Sequence, residues 1–174
     1  ATGVLVRDDY AGYGKLPLIQ QSCWSHPIRI SRDLAAREDA SEEIKLLHRK
    51  LQTLFTLLEE DTKQPFVLSE RQKLFAWYKK DLQKIIDTQY CHIDAQKLQT
   101  RIRNQNTNLL TALLYKGVPL TNNAAEQALR AIVVTRKISG GSKSPDGAKT
   151  HAVNLSVVET IVKRKLPLLD TLQE

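Results

Sequence analysis

The sequence lacks methionine, has only two cysteines and contains no long apolar run. Without methionine it lacks the residue that starts translation, so we expect a piece of a longer protein. Cys23 and Cys91 cannot form the cysteine framework of a small secreted domain, and they suit a reducing compartment. No apolar stretch approaches the roughly 20 residues that span a bilayer, and no signal peptide precedes the first strand. These absences argue against membrane and secreted proteins and favour a cytoplasmic one.

The positive charge is concentrated in residues 127–165, which we name the basic segment. It holds eight lysines and arginines against two acidic residues, which is +6 of the net charge of +7 in the 174-residue chain. Such a charge favours a polyanionic partner, for example nucleic acid. A solvated basic face without a partner is equally compatible with this composition.

A short predicted strand near the start of the chain ends at two acidic residues. Residues 3–7 include a continuous apolar run, as a buried strand does. Asp8 and Asp9 follow, and an acid at the carboxyl end of a strand lies where open α/β sheets place their chemistry. Alternation puts the two carboxylates on opposite faces. We expect Asp8 to be the catalytic candidate, because Asp9 can serve the turn that follows.

Residues 121–142 form the most distinctive stretch of the chain. Asn122 and Asn123 open it, and Glu126 follows at the spacing that closes a capping box on Asn123. The alternative is that Glu126, in the first turn of a helix, faces a metal ion and a phosphodiester. Behind it come basic residues and a glycine pair: Arg130, Arg136, Lys137, Gly140 and Gly141. Spacing alone leaves both interpretations of Glu126 open.

The remaining pattern predicts a second strand and several helices. The strand covers residues 18–24, and Ser25 is predicted to cap the helix after it. In residues 39–117 two apolar stripes indicate core helices, capped by Asp39 and by Ser69. Their members are Ile44, Leu47, Leu51, Leu54 and Leu58, then Leu74, Phe75, Tyr78, Leu82, Ile85 and Ile86. A third helix is predicted from about residue 94 to Gly117, with a polar turn at residues 103–108 facing water.

The last predicted helix begins at Ser144, with Pro145 in its first turn. Its predicted apolar stripe consists of Ala148, Ala152, Leu155, Val158 and Val162. Residues 168–172 are predicted to form a short terminal turn.

Residues 121–142 resemble the C-terminal signature of the insertion sequence sixty-six family of bacterial DDE transposases. The family's Asn-Asn-x-x-Glu element and the basic residues behind it are matched by Asn122, Asn123, Glu126, Arg130, Arg136 and Lys137. Its strand-end Asp-x-Tyr-x-x-Tyr element is matched by Asp8, Tyr10 and Tyr13. Cys23, Trp24 and His26 are similar to its Cys-Trp-x-His element, in which we interpret His26 as structural rather than as a contact to DNA. Thr121 departs from the aspartate that many relatives carry.

The resemblance implies a mainly α fold with a small β portion, the C-terminal part of a ribonuclease-H-like α/β core with a helical insertion. Residues 1–38 would be the partial core with the second catalytic aspartate, and residues 39–117 the insertion. Residues 118–174 would carry the core helices, the catalytic glutamate and most of the positive charge.

By the same resemblance, the chain is a fragment of an enzyme that cleaves and transfers DNA strands. Asp8 and Glu126 would be the catalytic residues and would bind Mg²⁺ or Mn²⁺, with a two-metal site only in the complete domain. The residues implied to bind transposon and target DNA are Asn122, Asn123, Arg130, Arg136, Lys137 and Lys143. Because the family's first aspartate is absent here, we expect the chain alone to be inactive.

Further expectations concern the partners of the chain. One expectation is that copies of the chain associate as a homo-oligomer. No membrane partner is expected.

One alternative function is a non-catalytic DNA-binding remnant of a transposase. Another is a zinc site from Cys23, His26, Cys91 and His92, although the adjacent last pair is awkward for tetrahedral ligation.

Overall fold

The computed structural model describes residues 3–167 and is mainly helical, with one small sheet. The chain divides into two compact units, Ala1–Asn122 and Asn123–Glu174. The mainly α fold with a small β portion is therefore confirmed. The turn predicted at residues 168–172 lies outside the described residues. The division at residues 38 and 117 stays a prediction.

The sheet consists of β1 (Val4–Arg7) and β2 (Ile19–Ser22), which pair in parallel. A 3-10 helix at Ala11–Lys15 lies in the connection between them. Arg7 pairs with Ser22 in the register, and the backbone N–H of Cys23 donates to the carbonyl oxygen of Arg7 at 2.8 Å. Because the strands are parallel, Asp8 and Cys23 both leave the sheet at its carboxyl edge.

Three of the four residues of the second strand are buried, and all three are polar. Gln21 is fully buried, donates to the carbonyl oxygen of Leu109 at 3.1 Å and accepts from the backbone N–H of Ala112 at 2.7 Å. Both contacts fall in a second 3-10 helix, Asn106–Leu113. Buried amides of this kind are tolerated because their hydrogen bonds are made inside the protein.

Helix α1 (Ser25–Ala35) follows the sheet directly. Its N-cap position is occupied by Trp24, so the prediction of Ser25 as the N-cap is wrong by one position. Trp24 is fully buried, and its indole N–H donates to the carbonyl oxygen of Leu109 at 2.7 Å. The buried indole of Trp24 therefore ties the start of α1 to the second 3-10 helix.

Helices α2 (Glu42–Lys63) and α3 (Leu68–Asp87) carry the predicted apolar stripes. All five residues of the first stripe are buried, and the second is buried at Tyr78, Leu82, Ile85 and Ile86. Both caps were predicted wrongly. The side chain of Ser41, not Asp39, accepts from Ile44, and Val67 rather than Ser69 occupies the N-cap of α3. Apolar spacing is set by the core, whereas cap choice depends on where the preceding loop turns.

The third predicted helix is broken in the structure. Helix α4 spans Ile93–Gln105 and gives way to the 3-10 helix at Asn106, where φ is 41° and ψ is −127°. The prediction of one helix to Gly117 is therefore wrong. Gln105, predicted to face water with its neighbours, is only 8% exposed. Gly117 itself has a φ of 78°, a conformation that suits glycine.

The main core belongs to the first unit, since its buried cluster runs from Trp24 to Leu120. The second unit holds α5 (Asn123–Ser139) and α6 (Pro145–Lys163). Ser144 caps α6 as predicted, by accepting from the backbone N–H of Gly147. The predicted stripe of α6 is wrong at Ala148, Ala152 and Val162, which are exposed. Leu155 and Val158 are partly buried, and the buried residue is Ile161. None of the helices within residues 3–167 has the length and apolar character that crossing a bilayer requires.

Candidate active site and nucleic-acid interface

Asp8 begins the loop that leaves β1. Its Oδ1 accepts a hydrogen bond from the backbone N–H of Tyr10 at 3.0 Å. This bond to the second residue onward is the turn chemistry of aspartate. The expectation that Asp9 would serve the turn is therefore wrong. Since Asp8 makes the turn bond itself, the turn no longer distinguishes Asp8 from Asp9 as the catalytic candidate.

Asp9 instead joins the loop to α4. Its Oδ2 lies 2.8 Å from Nη1 of Arg101, and its Oδ1 accepts from Nε2 of Gln105 at 3.0 Å. Oε1 of Gln105 in turn accepts from the hydroxyl of Ser22. These bonds connect the loop after β1, strand β2 and helix α4, and they join residues that are 83 to 96 positions apart in the sequence. Asp9 thus has a structural role that its sequence position did not reveal.

Arg7, at the end of β1, is the charged residue that sequence reasoning missed. It is 7% exposed, its Nε donates to Oε1 of Gln20 at 2.6 Å, and its Nη1 donates to the carbonyl oxygen of Asp8 at 2.8 Å. The available signal was a lone arginine in an apolar strand, since such a residue needs buried acceptors.

The start of the signature lies at the same edge of the sheet. The backbone N–H of Trp24 donates to the carbonyl oxygen of Leu120 at 3.0 Å, and that of Asn122 donates to Sγ of Cys23 at 3.4 Å. Cys23 is fully buried. Within the described residues, Oδ1 of Asn122 is also buried and has no hydrogen-bond partner. The fold therefore brings Asn122 to the strand ends that carry Asp8.

His26 lies in the first turn of α1, with its Nδ1 3.0 Å from Nη2 of Arg29. The two residues are three positions apart on one helix, so this contact is local. Such a contact is compatible with the structural interpretation of His26, and its functional role stays a prediction.

The other predicted site residues belong to the second unit. Glu126 lies in the first turn of α5, with Arg136 and Lys137 in its last turn. The predicted DNA-binding side chains of this unit are exposed: Asn123, Arg130, Arg136, Lys137 and Lys143. After α5, Gly140 and Gly141 have φ values of 69° and 88°. The pairing of Asp8 with Glu126 stays a prediction.

The described residues 3–167 contain no group of three or more histidine, cysteine, aspartate or glutamate side chains that could hold an ion. The zinc site predicted as an alternative is therefore wrong, and Cys23 is buried whereas Cys91 is exposed. In the first unit, the carboxylate of Asp8 and the unpartnered amide oxygen of Asn122 nevertheless offer the oxygen atoms that a hard ion prefers.

Comparisons with known proteins give one family and one relative. The profile of the transposase IS66 family matches residues 1–150. The chain is 34% identical over 90 residues to the uncharacterized protein y4jO of Sinorhizobium fredii, over 52% of this chain and 28% of that protein. The alignment thus spans less than a third of the curated relative. No solved structure matches significantly.

Proposed function

Because the chain belongs to the transposase IS66 family, we propose that it is the C-terminal part of a catalytic domain that cleaves and joins DNA. The complete domain would supply the first acid and the rest of the sheet. The chain alone would bind DNA without completing strand transfer.

The observation that carries this proposal is the position of Asn122. Its backbone is bonded to Cys23, Cys23 is bonded to Arg7, and Asp8 follows Arg7 in the chain. Glu126 comes four positions after Asn122, and four residues span at most about 14 Å even when fully extended. We propose that Asp8 and Glu126 act as a pair, and the position of Asn122 beside the strand ends supports this proposal.

The chemistry of this pair suits phosphoryl transfer. Bound Mg²⁺ ions would activate the attacking oxygen and stabilise the leaving one. Asp8 and Glu126 would hold the ion, and Oδ1 of Asp8 would keep its bond to Tyr10, which leaves Oδ2 for the ligand role. The exposed Arg130, Arg136, Lys137 and Lys143 would contact phosphates of the DNA backbone.

A ribonuclease-H-like core is the fold we propose for the complete domain. The described residues contribute two parallel strands, and parallel sheets are normally larger and covered on both faces. Further strands from the parent protein would extend this sheet and place the first acid beside Asp8.

The test is a cleavage and joining assay on terminal-repeat DNA with Mg²⁺ or Mn²⁺, comparing this chain with a longer chain that restores the upstream sequence. We expect activity in the longer chain alone. Within it, Asp8→Asn should reduce the rate by at least about 10²-fold, because catalytic geometry is lost, while an asparagine still accepts the bond from Tyr10.

Asp9→Asn is the matched control, because it changes the neighbouring carboxylate, whose partners are Arg101 and Gln105. It should lower stability, and in folded protein it should reduce cleavage far less than Asp8→Asn does, because it removes no ligand of the proposed metal site. Loss of cleavage with Asp9→Asn but not with Asp8→Asn would assign the catalytic role to Asp9 and contradict the proposal.

A non-catalytic DNA-binding remnant is the second candidate function. The exposed cations of the basic segment favour it, because they support binding without requiring any metal ion. A longer chain that binds DNA but never cleaves it, at any divalent ion concentration, would select this alternative.

A further inference from the structure

Arg7 is a buried cation whose partners are neutral. Its two hydrogen bonds go to the amide oxygen of Gln20 and to the carbonyl oxygen of Asp8. Among the described residues, no carboxylate forms an ion pair with it. A charge removed from water without an opposite charge is costly, so a buried guanidinium of this kind indicates an anionic ligand.

The orientation of the Arg7 guanidinium is fixed by Gln20. Nε2 of Gln20 donates to the carbonyl oxygens of Tyr13 and Leu16, at 2.8 and 3.3 Å. Its oxygen therefore has to face Arg7, and Gln20 is only 8% exposed. A side chain held in this way loses little entropy when it binds a ligand.

Arg7 lines an open cavity of about 460 Å³. Lys97 and Arg101 also line it, and Asp9 is the one carboxylate among its described lining residues. Both oxygens of Asp9 are engaged, by Arg101 and by Gln105. Three cations against one acid leave the cavity with an excess of two positive charges.

We propose that this cavity binds a phosphate group of the DNA backbone. Guanidinium groups present planar pairs of N–H donors that match phosphate oxygens, and lysine adds a mobile point charge. The cavity adjoins Asp8, because Nη1 of Arg7 is bonded to the Asp8 carbonyl oxygen. A phosphate held here would position the strand next to the catalytic edge, so the inference rests on the proposed function.

Lys97 gives the cleanest variant for a test. Its side chain is 70% exposed and forms a surface ion pair with Asp94 at 3.5 Å, so Lys97→Ala removes the charge and this exposed pair without disturbing the core. Lys73→Ala is the matched control, because Lys73 is an exposed lysine on α3 and does not line this cavity. Arg7→Lys tests the buried group, with thermal unfolding to confirm that the variant is folded.

The measurement is the affinity for duplex DNA as a function of salt. Each phosphate contact adds about −0.9 to the log–log slope, so Lys97→Ala should flatten the slope by about 0.9. Lys73→Ala should leave it unchanged. Equal flattening by the two variants would mean that only general surface charge is involved and would overturn the proposal.

A second arm distinguishes a DNA phosphate from a free one. Inorganic phosphate is titrated into labelled protein while the backbone amide signals of Arg7, Asp9 and Tyr10 are followed by NMR. We expect saturable shifts that Lys97→Ala weakens and Lys73→Ala does not. Shifts with phosphate but no change in the DNA slope would assign the cavity to a free phosphate ligand and overturn the assignment to DNA, and the absence of shifts would exclude a phosphate site.

The same measurements are repeated in a chain carrying Arg136→Ala and Lys137→Ala. That double change should flatten the salt slope by about two units through the basic segment, and the further effect of Lys97→Ala should persist. Failure of the proposed function would appear as no cleavage by the longer chain. Failure of this inference would appear as no separate Lys97 effect, so the two are distinguishable.

Discussion

Glu43 is a single carboxylate that bonds to backbone far from its own position in the chain. Its oxygens accept from the backbone N–H groups of Cys91 and His92, at 2.9 and 2.7 Å. These two bonds lower the pKa of Glu43 from its ordinary value of 4.5. They fix the loop that enters α4, where the side chain of His92 caps the helix by accepting from Asp94.

We predict a pH-dependent effect of Glu43→Gln on stability. Because the pKa is lower in the folded protein than in the unfolded chain, the ionised carboxylate stabilises the fold above its unfolded pKa. This contribution is lost as the pH falls through the folded pKa. At about pH 7 the free energy of unfolding should drop by about 1 kcal/mol, a hydrogen-bond value reduced for solvent exposure.

Urea denaturation at about pH 7 and about pH 3 measures this effect. The difference between the two proteins should be much smaller at the lower pH. Glu38→Gln is the control, because Glu38 is an exposed glutamate in the loop after α1 and should change stability at neither pH. A constant difference across the pH range would contradict the role of the charge.

At the scale of elements, the break between α4 and the 3-10 helix depends on one unusual backbone position. Asn106 has φ of 41° and ψ of −127°, a region that glycine adopts more readily than other residues. The break lets the chain turn so that Leu109 and Ala112 contact β2 through Gln21. The strain at Asn106 thus serves the docking of the sheet on the helices.

We predict that Asn106→Gly stabilises the protein by about 0.5 to 1 kcal/mol, because it relieves this strain. Asn104→Gly is the matched control inside α4. It should destabilise slightly, by about 0.3 kcal/mol, because glycine is a poorer helix former than asparagine. Thermal unfolding of both variants measures the two effects, and a loss of stability with Asn106→Gly would show that the asparagine side chain itself is needed.

The elements also show what sequence patterns could and could not predict. The stripe from Ile44 to Leu58 was predicted correctly, because apolar spacing reflects which face of a helix meets the core. The break at Asn106 was not, since no proline or glycine marks it. At the candidate site, the strand that leads to Asp8 was predicted. The bonds of Arg7 to Gln20 and of Asp9 to Arg101 and Gln105 were not, because they join residues 13 to 96 positions apart. No local pattern contains such partners.

On the scale of the whole molecule, burial is unequal between the two units. The core cluster lies entirely between Trp24 and Leu120. In the second unit, among its described residues, Ile161 is the buried hydrophobic one. Several others are exposed, namely Leu129, Ile132, Val133, Val134, Ile138, Val153, Val157 and Val162. Apolar burial is the main source of stability, so we expect the first unit to be stable on its own and the second unit not to be.

We predict that residues 1–122, produced alone, fold cooperatively, whereas residues 123–174 alone do not. The first part retains the whole core cluster, and the second lacks enough buried apolar surface to offset its conformational entropy. Circular dichroism during heating measures both. Non-cooperative unfolding of residues 1–122 would show that the second unit is required for the core.

The placement of the two tryptophans has a consequence for spectroscopy. Trp24 is fully buried, Trp77 is 48% exposed, and both belong to the first unit. The chain has no other indole. Tryptophan fluorescence therefore reports on the first unit. Trp24 is shielded from water, and Trp77 is about half exposed to it. Quenching by a soluble collisional quencher should remove only the redder component of the emission. Changes in the second unit will need an introduced fluorophore to become visible.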